Sequence, residues 1–414
     1  MEGPLLFRGT FHIGCSNTLI ISYLQFTVWK VSGFYYLCIS RMTARHIISA
    51  SILWIGLTLI GCTGKGVDIP RIAPGLFNSE DSLTLGLRRL DAEFYRVPAP
   101  EGYANNVLLT RFNGEYYCMW QYSRKDEDSP DTQVLYATSQ DALLWTKPKI
   151  LAGPTDTSFP SPGGWIQRGD SLSAVINRFN FSGGGSASYV TTKGRGIWGK
   201  EHSITMSDGT PLDGILEQDP LLLLSGRTVG AAHFGKDLTV CPVYTDDPSG
   251  LRGWKKAVLP KGEGKPLEPS QYISEGGSLV MLFRDQASSF KKLASFSRDN
   301  GESWSAPATT DIPDSRSKQC AGNLPDGRSF WVGNPTGNKS RRIIVLALSS
   351  DGTVFDKAWL LAGPEDLPAR RNEGKYKTLG YNYPKAAILD NDLWVSLSVN
   401  KEDVTLVRIP ISSL

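Results

Sequence analysis

The stretch Ser297-Arg298-Asp299-Asn300-Gly301-Glu302-Ser303-Trp304 decides how the rest of the chain is read. Its pattern, S-x-D-x-G-x-x-W, describes a hairpin turn in which each residue type has a separate task. Asp tolerates the turn and accepts backbone N–H groups, Gly takes a positive φ, and Trp folds underneath as an apolar plug. Strand-like runs flank it, Leu279–Phe283 and Ala294–Phe296 before and a stretch ending at Pro307 after.

Degenerate copies lie on both sides. Ser139-Gln140-Asp141-Ala142-Leu143-Leu144-Trp145 is one residue shorter, and Thr192-Lys193-Gly194-Arg195-Gly196-Ile197-Trp198 keeps the glycines and the Trp. Thr245-Asp246-Asp247 with Gly253-Trp254 is a stretched version, and Ser350-Asp351-Gly352-Thr353-Val354-Phe355 ends in Phe. The plug positions 145, 198, 254, 304 and 355 are separated by 53, 56, 50 and 51 residues. A fixed period of this length, with about four strands per unit, is the signature of propeller blades.

A second series runs in phase. Apolar strands ending in polar residues occur at Tyr117–Gln121, Ser173–Arg178, Val229–His233, Leu279–Arg284, Ser329–Asn334 and Leu393–Asn400. Each unit opens with a shorter strand, at Asn106–Thr110, Gly164–Gln167, Pro220–Leu224, Ser270–Ser274, Ala321–Leu324 and Pro384–Leu389. The expected architecture is therefore an all-β, six-bladed β-propeller occupying residues 83–414. Five blades fill roughly 104–361. The sixth combines residues 380–414 with an early strand near Leu83–Phe94, closing the ring.

The segment before the propeller reads differently. Residues 47–61 are almost wholly apolar, follow Arg45 and His46, and end Leu59-Ile60-Gly61-Cys62. A short basic stretch, an apolar stretch too short to span a bilayer and small residues before a Cys make a secretory signal over 42–61. The ending resembles the bacterial lipobox, which implies lipidation at Cys62, a tether over 62–82 and anchoring in the bacterial cell envelope, with the membrane contacted through the lipid alone. Residues 1–41 precede a good start at Met42 and read as an extension from a start assigned too far upstream, the alternative being a membrane segment over Thr18–Ile39.

Composition narrows the chemistry. At 40% hydrophobic and 21% charged, the chain is globular rather than disordered, and a formal net charge of +3 gives no case for a nucleic-acid partner. Four histidines are present, and two of them, His12 and His46, precede the expected mature start; His202 and His233 remain. Cys118, Cys241 and Cys320 are too scattered for a zinc motif, and no metal or other cofactor is expected. What is left is carboxylate, Tyr and Arg chemistry.

In a propeller, that chemistry belongs at the mouth of the central channel, where inner strands begin and second strands end. The polar residues there are Asn105, Asn106, Asp219, Glu268, Gln319 and Tyr383, and Gln121, Arg178, His233, Arg284, Asn334 and Asn400. With Phe159, Tyr272 and Tyr381 nearby, they suit a carbohydrate.

The eight-residue turn is the Asp box, and across residues 103–405 the chain resembles the sialidase (neuraminidase) superfamily of Asp-box, or BNR-repeat, propellers. The carrying motifs are Leu267-Glu268-Pro269-Ser270, with Arg284 sixteen residues after Glu268; Asn334-Pro335 before Arg341-Arg342; and Gly380-Tyr381-Asn382-Tyr383-Pro384. The resemblance implies Tyr383 (rather than Tyr381) as nucleophile and Glu268 as its assistant. It implies Arg284 and Arg341 (with Arg342 as neighbour) as carboxylate-binding residues. Asp131 or Asp128, in the loop Ser123–Asp131, takes the acid/base role. Arg178, His233 and Asn106 complete the expected substrate contacts. The family's first-blade Arg falls at Ala104 here, so an acidic sugar other than sialic acid, or a neutral one held by Asn105 and Asn106, is equally compatible.

The implied activity is that of an exo-acting, retaining glycoside hydrolase of the exo-α-sialidase type on a glycan, carried out by a monomer. A Tyr nucleophile suits an anionic sugar, because the substrate's own charge repels a carboxylate. Two alternatives stand beside it. One is a polysaccharide lyase that uses His233 or Tyr383 as base on a uronate with Arg178 as counter-charge. The other is a non-catalytic glycan-binding lipoprotein.

Overall fold

The computed structural model describes residues 69–76, 78 and 86–414, together with the backbone of short strands between Leu5 and Ile39. The expected signal peptide, Cys62 and most of the tether lie outside the described residues. The chain divides into two units, Met1–Gly66 and Val67–Leu414. In the first, Leu5–Thr10, Tyr23–Val31 and Phe34–Ile39 pair as an antiparallel sheet, so the described residues of the apolar stretch 18–39 lie in strands. No helix among the described residues is long and apolar enough to cross a membrane.

The second unit is a six-bladed β-propeller, each blade a four-stranded antiparallel sheet. Blade 1 runs Tyr103–Phe112, Glu115–Ser123, Gln133–Ser139 and Lys149–Ala152; blade 4 runs Pro266–Ile273, Leu279–Asp285, Lys291–Ser297 and Ala308–Pro313. Blade 6 closes the ring by taking three strands, Tyr381–Leu389, Asp392–Val399 and Asp403–Pro410, from late in the chain and its outer strand, Glu93–Val97, from early in it. The closing strand thus lies further along the chain than Leu83–Phe94. The apolar residues that drew the expectation there have another use. Leu90 is buried in the cluster between blades 5 and 6, and Arg89 bridges to Leu360 of blade 5.

Six hydrophobic clusters hold the propeller together, each shared by two neighbouring blades, and they form a closed cycle. The turn plugs explain the cycle. Trp304 of blade 4 packs among Val229, Ala231 and Val240 of blade 3. Phe355 of blade 5 packs with Tyr272 and Val280 of blade 4, and Trp254 of blade 3 with Val175 of blade 2. Each plug therefore pins its own blade to the preceding one, and the period seen in the sequence is the period of those pins.

The polar half of the turn works as its residue types require. Asp299 Oδ1 accepts the Ser303 N–H at 3.0 Å, and the Trp304 indole N–H donates to the Gly301 carbonyl at 3.1 Å. Blade 5 repeats the arrangement around Asp351. In the stretched blade 3 version the acceptor for Trp254 is Gly250, at 3.1 Å, rather than Gly253.

Candidate active site

The mouth is shaped by a repeated backbone irregularity. Five of the inner strands slip register: between Asn105 and Leu108, Pro162 and Gly164, Glu217 and Leu221, Leu267 and Ser270, and Asn382 and Lys385. Four of these bulges hold a non-glycine residue in the left-handed region: Asn106 (φ 52°), Gln218 (φ 58°), Glu268 (φ 50°) and Tyr383 (φ 54°). Such a conformation costs about 1–3 kcal/mol per residue and collects where a side chain has to be aimed. Glu268 and Tyr383 thus occupy equivalent bulges in blades 4 and 6.

Tyr383 stands in a ring of cations drawn from separate parts of the chain. Lys318 Nζ lies 5.0 Å from the ring centre, Lys401 Nζ 5.2 Å and the Arg341 guanidinium carbon 5.3 Å. Its hydroxyl makes no hydrogen bond within the described residues. Burial pushes this hydroxyl up to about 12, aided by the charges of Glu268 and Glu127 and opposed by Arg341 and Arg284.

Glu268 pairs with Arg284, Oε2 to Nη1 at 2.6 Å, with both side chains nearly buried. Burial alone drives the Glu268 carboxyl upward; Arg284 and Lys318 outweigh it and hold the group at about 2. This has a measurable consequence. The folded carboxyl binds its proton more weakly than the unfolded one (4.5), so the unfolded chain protonates first as pH falls. The stability Glu268 contributes is therefore complete above about pH 4.5 and declines toward about pH 2. Urea midpoints across that window are expected to fall less steeply in Glu268→Gln than in the wild type; parallel declines would contradict the assignment.

A buried chain of polar contacts supports the strained Glu268 backbone. The Glu268 N–H donates to His233 Nε2 at 3.2 Å, His233 Nδ1 faces Glu217 Oε1 at 3.5 Å, and Glu217 Oε2 pairs with Lys318 Nζ at 2.8 Å. His233 is 1% exposed, and burial lowers its basicity. It is a brace beneath the site rather than a base facing substrate.

The loop after the second strand of blade 1 separates the two acid candidates. Asp131 is tied to Arg124, Nε to Oδ2 at 2.8 Å, and accepts from Ser129; despite partial burial, these partners hold its carboxyl at about 2. Asp128, held at φ 56° and bonded to Gln121 at 3.3 Å, is raised by burial and by the adjacent Glu127 and lies within the fields of Lys401 and Lys318. Glu127 is a hub: it accepts from the Tyr103 hydroxyl at 2.7 Å and pairs with Lys401 at 2.5 Å. Burial thus favours the protonated form of Asp128, whereas the partners of Asp131 favour its charged form, and this separates the two carboxyls.

Residues 114–395 match the BNR repeat-like domain family. The chain belongs to this family. Solved structures share the fold at low identity. A sialidase aligns at 20% identity and TM-score 0.60 over 83% of this chain, which spans 35% of that protein's length. A Dyadobacter fermentans protein of unknown function aligns at 17% identity and TM-score 0.58, covering 78% of this chain and 99% of the other. The Trypanosoma rangeli sialidase in complex with the inhibitor DANA aligns at 15% identity and TM-score 0.55, covering 78% and 58%. No curated protein matches the chain.

Within this BNR-repeat propeller, Tyr383, Glu268, Arg284 and Arg341 converge as the motifs implied, while other expected contacts do not. Arg178 is engaged by Glu201, Nε to Oε1 at 2.9 Å, and by the Gly153 carbonyl at 2.6 Å. Asn106 donates to Ser161 Oγ (3.1 Å) and the Pro162 carbonyl (2.8 Å), joining blade 1 to blade 2. Arg342 is exposed, and the Tyr381 hydroxyl donates to the Gly363 carbonyl at 2.9 Å, leaving Arg341 and Tyr383 as the residues at the centre. The strand-end reading missed Lys318, Lys401, Glu127 and Glu217. Only Glu127, next to Asp128, carried any local signal.

Proposed function

We propose that this chain is a retaining, exo-acting glycoside hydrolase with Tyr383 as nucleophile and Asp128 as acid/base, acting on a glycan terminated by a carboxylate-bearing sugar. The observation that carries the reading is the placement of Tyr383: a strained bulge presents its unbonded hydroxyl among cations, and one of these, Arg341, has no carboxylate partner among the described residues. The Arg341 guanidinium is held by the Asn382 side chain (2.9 Å) and the Arg316 carbonyl (3.0 Å), both neutral. It is the natural seat for a substrate anion.

The reaction follows from the charges. A carboxylate arriving at Arg341 and Arg284 draws Arg284 away from Glu268, and the released carboxylate gains basicity and takes the Tyr383 proton. The Tyr383 oxygen bonds to the anomeric carbon as the glycosidic C–O bond breaks, and Asp128 delivers its proton to the leaving oxygen. In the second half, Asp128 removes a proton from water, the water oxygen bonds to the same carbon, the bond to Tyr383 breaks, and Glu268 returns its proton to the Tyr383 oxygen.

The lyase alternative loses support because His233 is buried with both ring nitrogens turned to protein groups. A panel of sialosides, glucuronosides and neutral glycosides, assayed for released sugar, tests the proposal. Asp128→Asn is expected to lower turnover of the responding substrate by about 10²–10⁴-fold and Asp131→Asn to leave it nearly unchanged. The reverse order would move the acid role to Asp131. Binding without release across the panel would replace the hydrolase with a glycan-binding protein.

A further inference from the structure

Lys318 belongs to neither series of strand ends, yet the fold invests heavily in placing it. It is carried by the segment Asp314–Lys318 between blades 4 and 5, which is pinned from below. Lys292 Nζ, fully buried, pairs with Asp314 at 2.7 Å and donates to the Ser317 carbonyl at 3.0 Å. Ser315 Oγ lies 2.6 Å from Thr336 Oγ1, and the Arg316 carbonyl, on a residue at φ 51°, holds Arg341 at 3.0 Å. Lys318 and Arg341 are thus fixed to one another through Arg316. A segment this constrained loses little freedom when a ligand arrives.

The ammonium itself is incompletely used. Of its three donors, one reaches Glu217, and no other hydrogen bond to Nζ forms within the described residues. The neighbouring cations differ on this point. Lys401 is 2% exposed and faces Glu127, so it braces the acid loop. The Lys318 side chain is 9% exposed and that of Arg284 11%, so both keep some contact with solvent. The groups facing Lys318 are Glu217 below, Tyr383 at its side and Glu268 across, with Lys385 deeper.

We infer that Lys318 is a substrate-binding residue that donates to the sugar carboxylate together with Arg284 and Arg341, with Glu217 and His233 acting as positioning residues beneath it. The inference rests on the proposed reading of this site as one for an acidic sugar. Lysine is a compact charge rather than a planar fork, so it engages whichever carboxylate oxygen the two guanidiniums leave free. The contribution is one of affinity for the anion, distinct from the covalent steps at Tyr383.

The test is calorimetric binding of DANA and of its methyl ester, which has the same ring without the charge. Lys318→Met strands the Glu217 carboxylate, so Lys318→Met/Glu217→Gln, which removes both partners, guards against misfolding, and melting temperatures are recorded alongside. Wild type is expected to prefer DANA to its ester. The double variant is expected to lose about thirtyfold or more in DANA affinity while remaining folded, and Lys318→Arg to retain most of it. If wild type prefers DANA and the double variant binds it equally well, Lys318 does not touch the carboxylate and the acidic-sugar reading survives. If wild type binds neither ligand, or both equally, that reading falls and the inference with it.

Discussion

Tyr383→Phe is expected to lower turnover of the responding glycoside by about 10⁴-fold or more while leaving its binding within about threefold of wild type. The substitution deletes one oxygen and nothing else that the fold uses, because the Tyr383 hydroxyl makes no hydrogen bond among the described residues and the ring keeps its place among Lys318, Lys401 and Arg341. A loss of folding cannot then be mistaken for a loss of chemistry. Initial rates and calorimetric binding on the same preparation check it, and intact-mass measurement of wild type after rapid quench should show one added sugar, absent from the variant. Full activity in Tyr383→Phe would remove the nucleophile assignment.

The second large effect concerns stability. Lys292→Met is expected to destabilise the propeller by about 3–5 kcal/mol, because it leaves Asp314 ionised and nearly inaccessible to water with its cation removed. Asp314 also accepts the Asp285 N–H at 2.7 Å, so the disturbance reaches the second strand of blade 4 directly beside Arg284. Lys292→Met/Asp314→Leu, which removes both charges, should recover much of the loss. Denaturant titrations of the two variants decide the matter. A single variant within about 1 kcal/mol of wild type would mean that solvent reaches Asp314 after all.

How far the sequence could be read follows from what each residue answers to. The blades were legible because Trp145, Trp198, Trp254, Trp304 and Phe355 serve one packing need at a near-constant interval, and a repeated need leaves a repeated mark. Glu93–Val97 was not, because an outermost strand with one buried residue of five lacks an apolar alternation. Glu268, Arg284 and Tyr383 could be singled out because they sit at strand ends, where position and chemistry coincide, whereas Arg341, in the connection between Ser329–Gly333 and Ile344–Ser349, was reached through the family resemblance alone. Asp131 and Asp128 looked alike in one loop. Only the fold reveals that Arg124 claims the first and that burial shelters the second. Lys318, Lys401 and Glu127 reach Tyr383 from loops and a hairpin turn, whose spacing carries no period at all.

Ring closure has a consequence for timing. The blade that presents Tyr383 is completed only when Glu93–Val97 pairs with Asp403–Pro410, and five whole blades lie between those segments along the chain. During synthesis Glu93–Val97 must wait unpaired, its hydrogen-bonding edge open, until the last blade has been made. Glu268 and Arg284 are laid down before the blade that carries Tyr383, so a nascent or truncated chain holds the proposed anion-binding pair without the proposed nucleophile. Tyr383, the proposed nucleophile, is set in place by the same pairing event that makes the ring continuous, which would tie competence to completion of the fold.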